Sequence, residues 1–308
     1  MICDFETMLQ ELKNGSPRTI AVGAAEDKDV LLSVENARRI GIAQAILTGS
    51  KAKIEKIAAE NGIDPRNYEI VDVSDPEEAC LAAVDLVRQG NAALPMKGFV
   101  DTSVMLKAVL HKERGLRGNS LISHVGVLKV AGFERLFFIS DSAMTIAPDV
   151  KSKADIIRNA VRVAHAFGLE EPKVAVLCAV EKVNNKMPAT LDAEELTRMN
   201  ERGEITGCLV KGPLQLDNAV SMEAARHKGI CHPVAGQADI LIAPDIEAGN
   251  ILNKSMEYFA RAEKSGVIMG ARTPIILTSR ASSDRAKLNS IALGLLVAGK
   301  WVPGRQLF

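Results

Sequence analysis

The sequence predicts an α/β protein built as two lobes, each around a largely parallel sheet, with a cleft between them. Three observations carry that expectation. Short runs rich in Val, Ile, Leu and Ala lack the in/out alternation of a half-exposed strand, as strands covered on both faces do. Longer segments of helical period separate these runs, giving the β-α-β-α order that favours parallel pairing. At 308 residues, 47% of them apolar, the chain is somewhat long for one compact domain and can bury a large core.

In chain order the runs are TIAVGAA (19–25), AILTG (45–49), YEIVDV (68–73), RLFFISD (135–141), KVAVLCAV (173–180), ADILIAPD (238–245) and PIILTS (274–279). The last helix begins near Asp284, with Leu288, Ile291, Ala292, Leu295 and Leu296 on one stripe and Gly299 as its stop. No tandem repeat, low-complexity tract or proline-rich linker marks a boundary between lobes.

Lys plus Arg equals Asp plus Glu at 38 each, so no net field favours a nucleic-acid backbone or an anionic membrane. Anionic ligands must be held by local groups. The five cysteines, Cys3, Cys80, Cys178, Cys208 and Cys231, show no metal-ligand or redox spacing and read as ordinary thiols of a reducing compartment. Asp4, Glu6 and Glu11 stand where a signal peptide needs positive charge, and the longest apolar run, near 291–298, is far shorter than the roughly 18 residues of a membrane span. A soluble, cytoplasmic protein is expected.

In open parallel sheets ligands sit beyond the carboxyl ends of the strands, and the polar clusters of this sequence come directly after its apolar runs. After PIIL come Thr278, Ser279, Arg280, Ser282, Ser283 and Asp284. A guanidinium forks onto a phosphate or carboxylate, and a helix amino terminus adds free N–H groups. The plainer reading is a helix capped by Ser282 or Ser283, with Asp284 complementing its dipole and Arg280 in solvent.

In APDIEAGNILNK, Asp245 is placed to cap a helix on which Asn250 and Lys254 share a face; Gly249 inside that helix signals close approach of a ligand or another backbone. In VKGPLQLDNAVS, Gly212 and Pro213 are expected to turn the chain, and Gln215 and Asp217 to project to one side if the next residues are extended. In LPMKGFVDTSVMLKAVLHK, Lys97, Gly98, Ser103 and Lys107 gather where a run meets a helix, a phosphate site in one reading and a helix capped by Asp101 or Thr102 in the other. None of the five histidines has a partner at zinc-ligand spacing, and no P-loop or Gly-x-Gly-x-x-Gly opens a helix.

Taken together and in order, NNKMPATLDAEEL, GPLQLDNAVS, HPVAGQADILIAPDIEAGNILNK and PIILTSRASS resemble the phosphate acyltransferase family, and its phosphate butyryltransferase branch more than its phosphate acetyltransferase branch. The resemblance runs from about Thr19 to Gly299. It implies reversible transfer of an acyl group between CoA and inorganic phosphate, with acyl-CoA, phosphate and acyl phosphate as ligands, CoA as a substrate, and no metal, cofactor or prosthetic group. It also implies two lobes similar to those of isocitrate and isopropylmalate dehydrogenases, here 1–130 with 270–308 and 131–269, and a homodimer or higher even oligomer.

By the same resemblance Arg280 holds the transferred phosphate, Ser279 hydrogen-bonds phosphate or the carbonyl oxygen, and an aspartate deprotonates the CoA thiol. An ungapped count from Arg280 to that aspartate arrives at Ala286, and Asp284 is the nearest carboxylate and the chosen base. Lys97, Gly98, Ser103, Lys107, Gln215, Asp217, Asn250 and Lys254 are the expected substrate-binding residues. The acetyltransferase pattern near Lys107 has an arginine and a histidine that this chain lacks, a difference in keeping with the butyryltransferase branch. The alternatives are a phosphate acetyltransferase, a non-catalytic CoA-binding paralogue prompted by Ala286, and an oxidoreductase on the related fold, for which Tyr68 and Tyr258 are the only tyrosines.

Overall fold

A computed structural model describes residues 1–278 and 283–300. Their elements are α1 (Phe5–Lys13), β1 (Arg18–Gly23), α2 (Lys28–Arg39), β2 (Ala43–Gly49), α3 (Lys51–Glu60), β3 (Glu69–Asp72), α4 (Pro76–Arg88), β4 (Leu94–Lys97) and α5 (Thr102–Val109). Next come β5 (Ser123–Lys129), β6 (Leu136–Ser140), α6 (Val150–Ala166), β7 (Lys173–Leu177), α7 (Pro188–Glu201), β8 (Leu209–Leu214), α8 (Leu216–Val220) and α9 (Met222–His227). The chain continues through β9 (Ile240–Ile242), α10 (Ile246–Tyr258), β10 (Glu263–Met269) and α11 (Asp284–Lys300). No described helix is long and apolar enough to cross a membrane.

The described residues fall into two units. The first joins Phe5–Asn119 to residues 265–300, and the second joins Met1–Asp4 to Ser120–Lys264. The first unit carries an all-parallel four-stranded sheet of order β3-β2-β1-β4. Ile20, Ala21 and Val22 of β1 are all fully buried, the non-alternating signature read in the sequence. Helix α4 lies so close to the end of β1 that a β-carbon on Gly23 would stand 3.0 Å from Cys80 Cα.

The second unit contributes to a six-stranded sheet of order β10-β5-β6-β9-β7-β8. Strands β6, β9, β7 and β8 are parallel neighbours, whereas β5 and β6 are antiparallel. Phe137 and Ile139 of β6 enter a cluster with Leu128, Ala175, Leu214 and Leu241. Phe138 points the other way and meets Phe167 edge to face, with ring centroids 5.4 Å apart. Both faces of the strand are therefore covered.

Capping explains where several helices start. Asp27, Asp75, Asp149 and Asp245 each accept a hydrogen bond from a backbone N–H in the first turn of α2, α4, α6 and α10. Asp75 is followed by Pro76, Glu77 and Glu78, a sequence suited to a helix amino terminus on all counts.

Three local expectations are corrected. Gly212 and Pro213 do not form a turn; they lie inside β8, which is an edge strand where a missing N–H is tolerated. The residues after Gln215 are helical rather than extended, so Gln215 and Asp217 are not placed on one side by strand alternation. In α11, burial runs almost all round the helix from Ala286 to Val297, not along one stripe, and the helix runs on through Gly299 to Lys300, the last described residue. The helix is a core element whose polar Asn289 and Ser290 are buried along with its leucines.

The described part of that last run, 274–278, is also less regular than expected. Ile276 bridges in parallel to Met96 and Ile275 bridges antiparallel to Ile268, without a continuous strand.

Candidate active site

In the first unit the parallel register aligns Gly23 of β1 with Lys97 of β4. The Gly98 N–H donates to the Gly23 carbonyl at 2.8 Å and the Phe99 N–H to that of Ala24 at 2.7 Å. A β-carbon on Gly98 would collide with the Ala24 carbonyl, so the two strand tips meet only because this residue has no side chain. The 274–278 segment joins the same edge: the Lys97 N–H donates to the Ile276 carbonyl at 2.9 Å, and the Ile276 N–H to that of Pro95 at 3.0 Å. Thr278 thus leads off beside the tip of β4.

Lys97 itself is buried, and its ammonium donates to the carbonyls of Gly98 at 3.1 Å and Val100 at 2.9 Å. It braces the tip from inside. Ser103 is exposed in the first turn of α5. Asp101 occupies the N-cap position without its side chain accepting from that turn. Lys107 is exposed and 3.7 Å from Glu77 on α4.

Ser279 and Arg280 lie outside the described residues. Ser283 caps α11, its hydroxyl accepting from the Ala286 N–H at 3.2 Å, which is the plainer of the two readings of that serine. Asp284 is exposed as the first residue of the helix, while Ala286, at the counted family position, is buried. One turn further, buried Lys287 reaches Asp29 of α2 at 3.0 Å and ties down the start of α11.

In the second unit, parallel pairing of β6, β9, β7 and β8 puts their carboxyl ends along one edge. Gln215, just past β8, donates from Nε2 to the Ala179 carbonyl past β7 at 2.7 Å and accepts from Lys228 Nζ at 3.1 Å. Asp217 is exposed and accepts from the Asn218 N–H at 2.7 Å. Past β6, the Asp141 carboxylate gathers three backbone N–H groups, those of Ala143, Met144 and Thr145, at 2.9, 3.1 and 3.1 Å. Asn250 donates to the Ser142 carbonyl at 3.1 Å, so it is fastened to this tip.

Gly249 beside it fulfils the expectation of close approach. A β-carbon there would strike the Asp141 carbonyl oxygen and lie 3.1 Å from Ala243 Cβ. Lys254, one turn on, faces away from the tip network: it pairs with Glu257 at 3.3 Å and stands over the Tyr258 ring at 5.7 Å.

Sequence reasoning missed further residues at these tips. His124 of β5 bonds Ser142 Oγ through Nδ1 at 3.0 Å, and burial holds its pKa below the ordinary value against the opposing pull of Asp141. Neutral His124 therefore orients the Ser142 hydroxyl. Asn218 is fully buried, and neither its amide nitrogen nor its oxygen has a partner among the described residues. For Asp141 and Ser142 a signal was available, since RLFFISDS has the same apolar-run-to-polar-tip form as the other clusters; His124 and Asn218 carry no such signal.

Three of the thiols are kept protonated by their surroundings. Burial pushes Cys80 and Cys178 up to about 11 and Cys208 to about 12, in Cys80 despite the opposing charge of Lys97. Among the described residues no group of His, Cys, Asp and Glu is arranged to hold a metal ion. A polar depression of about 510 Å³ does exist in the first unit, lined by Thr19, Gln44, Asn67, Glu69 and Asn91 among others. It lies at the amino ends of β1 to β3, the opposite edge from the tips, and contains none of the candidate residues.

A family model described as "Phosphate acetyl/butaryl transferase" matches residues 75–295. The chain is 48% identical over 297 residues to the phosphate butyryltransferase of Clostridium beijerinckii, covering 96% of this chain and 98% of that protein. It is 44% identical over 294 residues to the phosphate acetyltransferase of Thermotoga maritima, covering 96% of this chain and all (100%) of that one. The crystal structure of a branched-chain phosphotransacylase from Enterococcus faecalis is similar with a TM-score of 0.81 at 33% identity, over 91% of this chain and 99% of that one.

Proposed function

Since the chain belongs to the phosphate acetyl/butyryltransferase family, we propose that it catalyses the reversible reaction of butyryl-CoA with inorganic phosphate to give butyryl phosphate and CoA. The observation that carries this reading is the 48% identity to a phosphate butyryltransferase across nearly the whole of both chains. In the direction of thioester synthesis, the CoA thiol loses its proton to Asp284 and the thiolate attacks the carbonyl carbon of the acyl phosphate. The C–S bond forms, the C–O bond to phosphate breaks, and phosphate leaves. Arg280 binds the phosphate oxygens through its fork and Ser279 hydrogen-bonds phosphate or the carbonyl oxygen.

Both substrates are present together, and no acyl-enzyme is formed. The raised pKa values of Cys80, Cys178 and Cys208 support direct transfer, because a buried thiol kept protonated is a poor acceptor for an acyl group. Lys97, Gly98, Ser103, Lys107, Gln215, Asp217, Asn250 and Lys254 belong to the substrate-binding surface in this reading, with Lys97, Gly98, Gln215 and Asn250 acting through the strand tips they hold. CoA is a substrate and no metal or prosthetic group takes part. The enzyme works in the cytoplasm as a homodimer or higher even oligomer.

A second reading, phosphate acetyltransferase, is favoured by the 44% identity to the Thermotoga maritima enzyme. Two methylenes in an apolar pocket change binding by roughly 1 to 3 kcal/mol, so the two activities overlap rather than exclude each other. Thiol release from acetyl-, butyryl- and isobutyryl-CoA in the presence of phosphate tests both. Butyryl-CoA should give the highest kcat/KM, Arg280→Ala should lose most turnover, and Asp284→Asn should fall by about 10²- to 10⁴-fold. Full turnover by Asp284→Asn would move the base elsewhere; CoA binding without thiol release by the wild type would make the chain a non-catalytic paralogue.

A further inference from the structure

From Leu94 to Val100 the chain is buried at every residue but one. The exception is Phe99, 53% exposed just past the carboxyl end of β4, where a parallel sheet presents its ligand groups. A single exposed apolar side chain is ordinary; one held in place by three separate arrangements is not. Ala24, at the tip of β1, has a φ of +54°, in the left-handed region that a residue with a β-carbon seldom enters, and its carbonyl accepts from the Phe99 N–H at 2.7 Å. Gly98 lets the turn pass against that same carbonyl because it has no side chain to collide with it. The buried ammonium of Lys97 donates to the carbonyls on either side of Phe99, those of Gly98 at 3.1 Å and Val100 at 2.9 Å.

Backbone strain and a buried charge concentrated on one turn point to what the turn presents. Here it presents a benzyl ring. The residues that follow, Asp101, Thr102, Ser103 and Lys107, are exposed and polar, so Phe99 stands as an apolar element on a polar rim. The 274–278 segment, which precedes Ser279 and Arg280 in the sequence, is bonded to this turn through the Lys97 N–H and the Ile276 carbonyl. The substrates of the functional reading have the same division. Phosphate and the reacting carbonyl are polar, and beyond the carbonyl lies a short aliphatic chain that apolar surface alone stabilises.

We propose that Phe99 forms the wall against which the aliphatic part of the acyl group lies, and so sets the preference for butyryl over acetyl groups. This deepens the functional reading and rests on it: the reaction is the same, and Phe99 is the residue that senses chain length. Each methylene laid against such a wall favours the longer substrate by a factor of about four, so the two methylenes that distinguish butyryl from acetyl give roughly tenfold.

Thiol release with phosphate, measured as kcat/KM for butyryl-CoA and for acetyl-CoA, tests the proposal in the wild type and in Phe99→Ala, Phe99→Leu and Phe99→Gln. The ratio of the two values is the readout, because it does not depend on how much of a sample is folded. In Phe99→Ala it should fall by about three- to tenfold. Phe99→Leu, still apolar, should keep most of the preference, and Phe99→Gln, similar in length but polar, should lose it. A ring lying against the CoA moiety that both substrates share would weaken both equally in Phe99→Ala; that unchanged ratio, or a raised one, would overturn the proposal. Should Phe99→Ala fail to fold, equal ratios in Phe99→Leu and Phe99→Gln would do the same. Absence of thiol release by the wild type would remove the functional reading and this proposal with it, an outcome distinct from turnover with an unchanged ratio.

Discussion

Replacing Gly212 by alanine sets two effects against each other. Gly212 lies inside β8, where glycine is intrinsically worse than alanine by roughly 0.5 to 1 kcal/mol, so propensity alone predicts stabilisation. The structure predicts the reverse. A β-carbon at this position would lie 2.7 Å from Val176 Cβ on β7 and 2.9 Å from Ala193 Cβ on α7, with the Val176 carbonyl at 3.1 Å. Carbon atoms pack at about 3.5 to 4.0 Å, so each carbon contact is short by about 1 Å. Both obstructing carbons are bonded directly to backbone and no rotamer change moves them.

Helix α7 must therefore lift off β8, against the two bonds that Thr197 Oγ1 makes with Gly212, accepting from its N–H at 2.9 Å and donating to its carbonyl at 3.1 Å. Overpacking of this kind costs about 1 to 3 kcal/mol, which exceeds the propensity gain. Gly212→Ala should unfold at lower urea with a net loss of about 1 to 2 kcal/mol. In Gly212→Ala/Ala193→Gly one of the two short contacts is gone, and the combined loss should be smaller than the sum of the single losses. Gly299→Ala is the control, since its nearest obstruction is the flexible guanidinium end of Arg18 at 3.4 Å. A Gly212→Ala protein as stable as the wild type, with no coupling to Ala193, would refute the argument.

Three more outcomes can be checked on the same molecule. Glu35 accepts from Arg38, Tyr68 and Arg39, and chiefly the Arg38 bond holds its pKa near 2, below the ordinary 4.5. A depressed carboxylate pKa contributes stability above about 4.5 that is lost as pH falls towards 2, at most about 3 kcal/mol and about 1 to 2 after solvent screening of the partly exposed arginines. The stability gap between wild type and Glu35→Gln should accordingly be constant from pH 7 to about pH 5 and close below it, as read by urea unfolding across pH. Lys97→Met should lose about 1 to 3 kcal/mol, because it strips the bonds that the buried ammonium makes to the Gly98 and Val100 carbonyls. Lys107→Ala should leave stability within about 0.5 kcal/mol, so a rise in KM for phosphate in that variant would report ligand binding alone.

The parallel core strands were readable in the sequence because β1, β6 and β9 are covered on both faces and so carry unbroken apolar runs. Gly249 was readable too, since glycine in a capped helix needs a reason and the Asp141 carbonyl supplies one. Strand β8 was hidden by its own Gly-Pro pair, which spells a turn locally; only its place at the sheet edge permits it. The strand β5 was missed because its SHVGVLK mixes polar and apolar residues, and its pairing with β6 is decided by tertiary neighbours. At the candidate site, residue types at strand tips were legible, but Lys97 turning inwards and His124 meeting Ser142 across different strands depend on packing that no local spacing encodes.

The interleaving of the two units has a consequence for synthesis on the ribosome. The first unit begins at Phe5 yet is completed by residues 265–300, and the almost wholly buried helix α11 belongs to that late segment. Strands β1 to β4 leave the exit tunnel early and then wait, with part of their apolar cover missing, while the second unit is made and folds as a nearly continuous insert. Met1–Asp4 is grouped with that insert, the Ile2 N–H donating to the Phe167 carbonyl at 2.8 Å, so these residues also wait for it. The strands made before the insert are the last to close, and a chain that stops short of α11 leaves their surface open to aggregation.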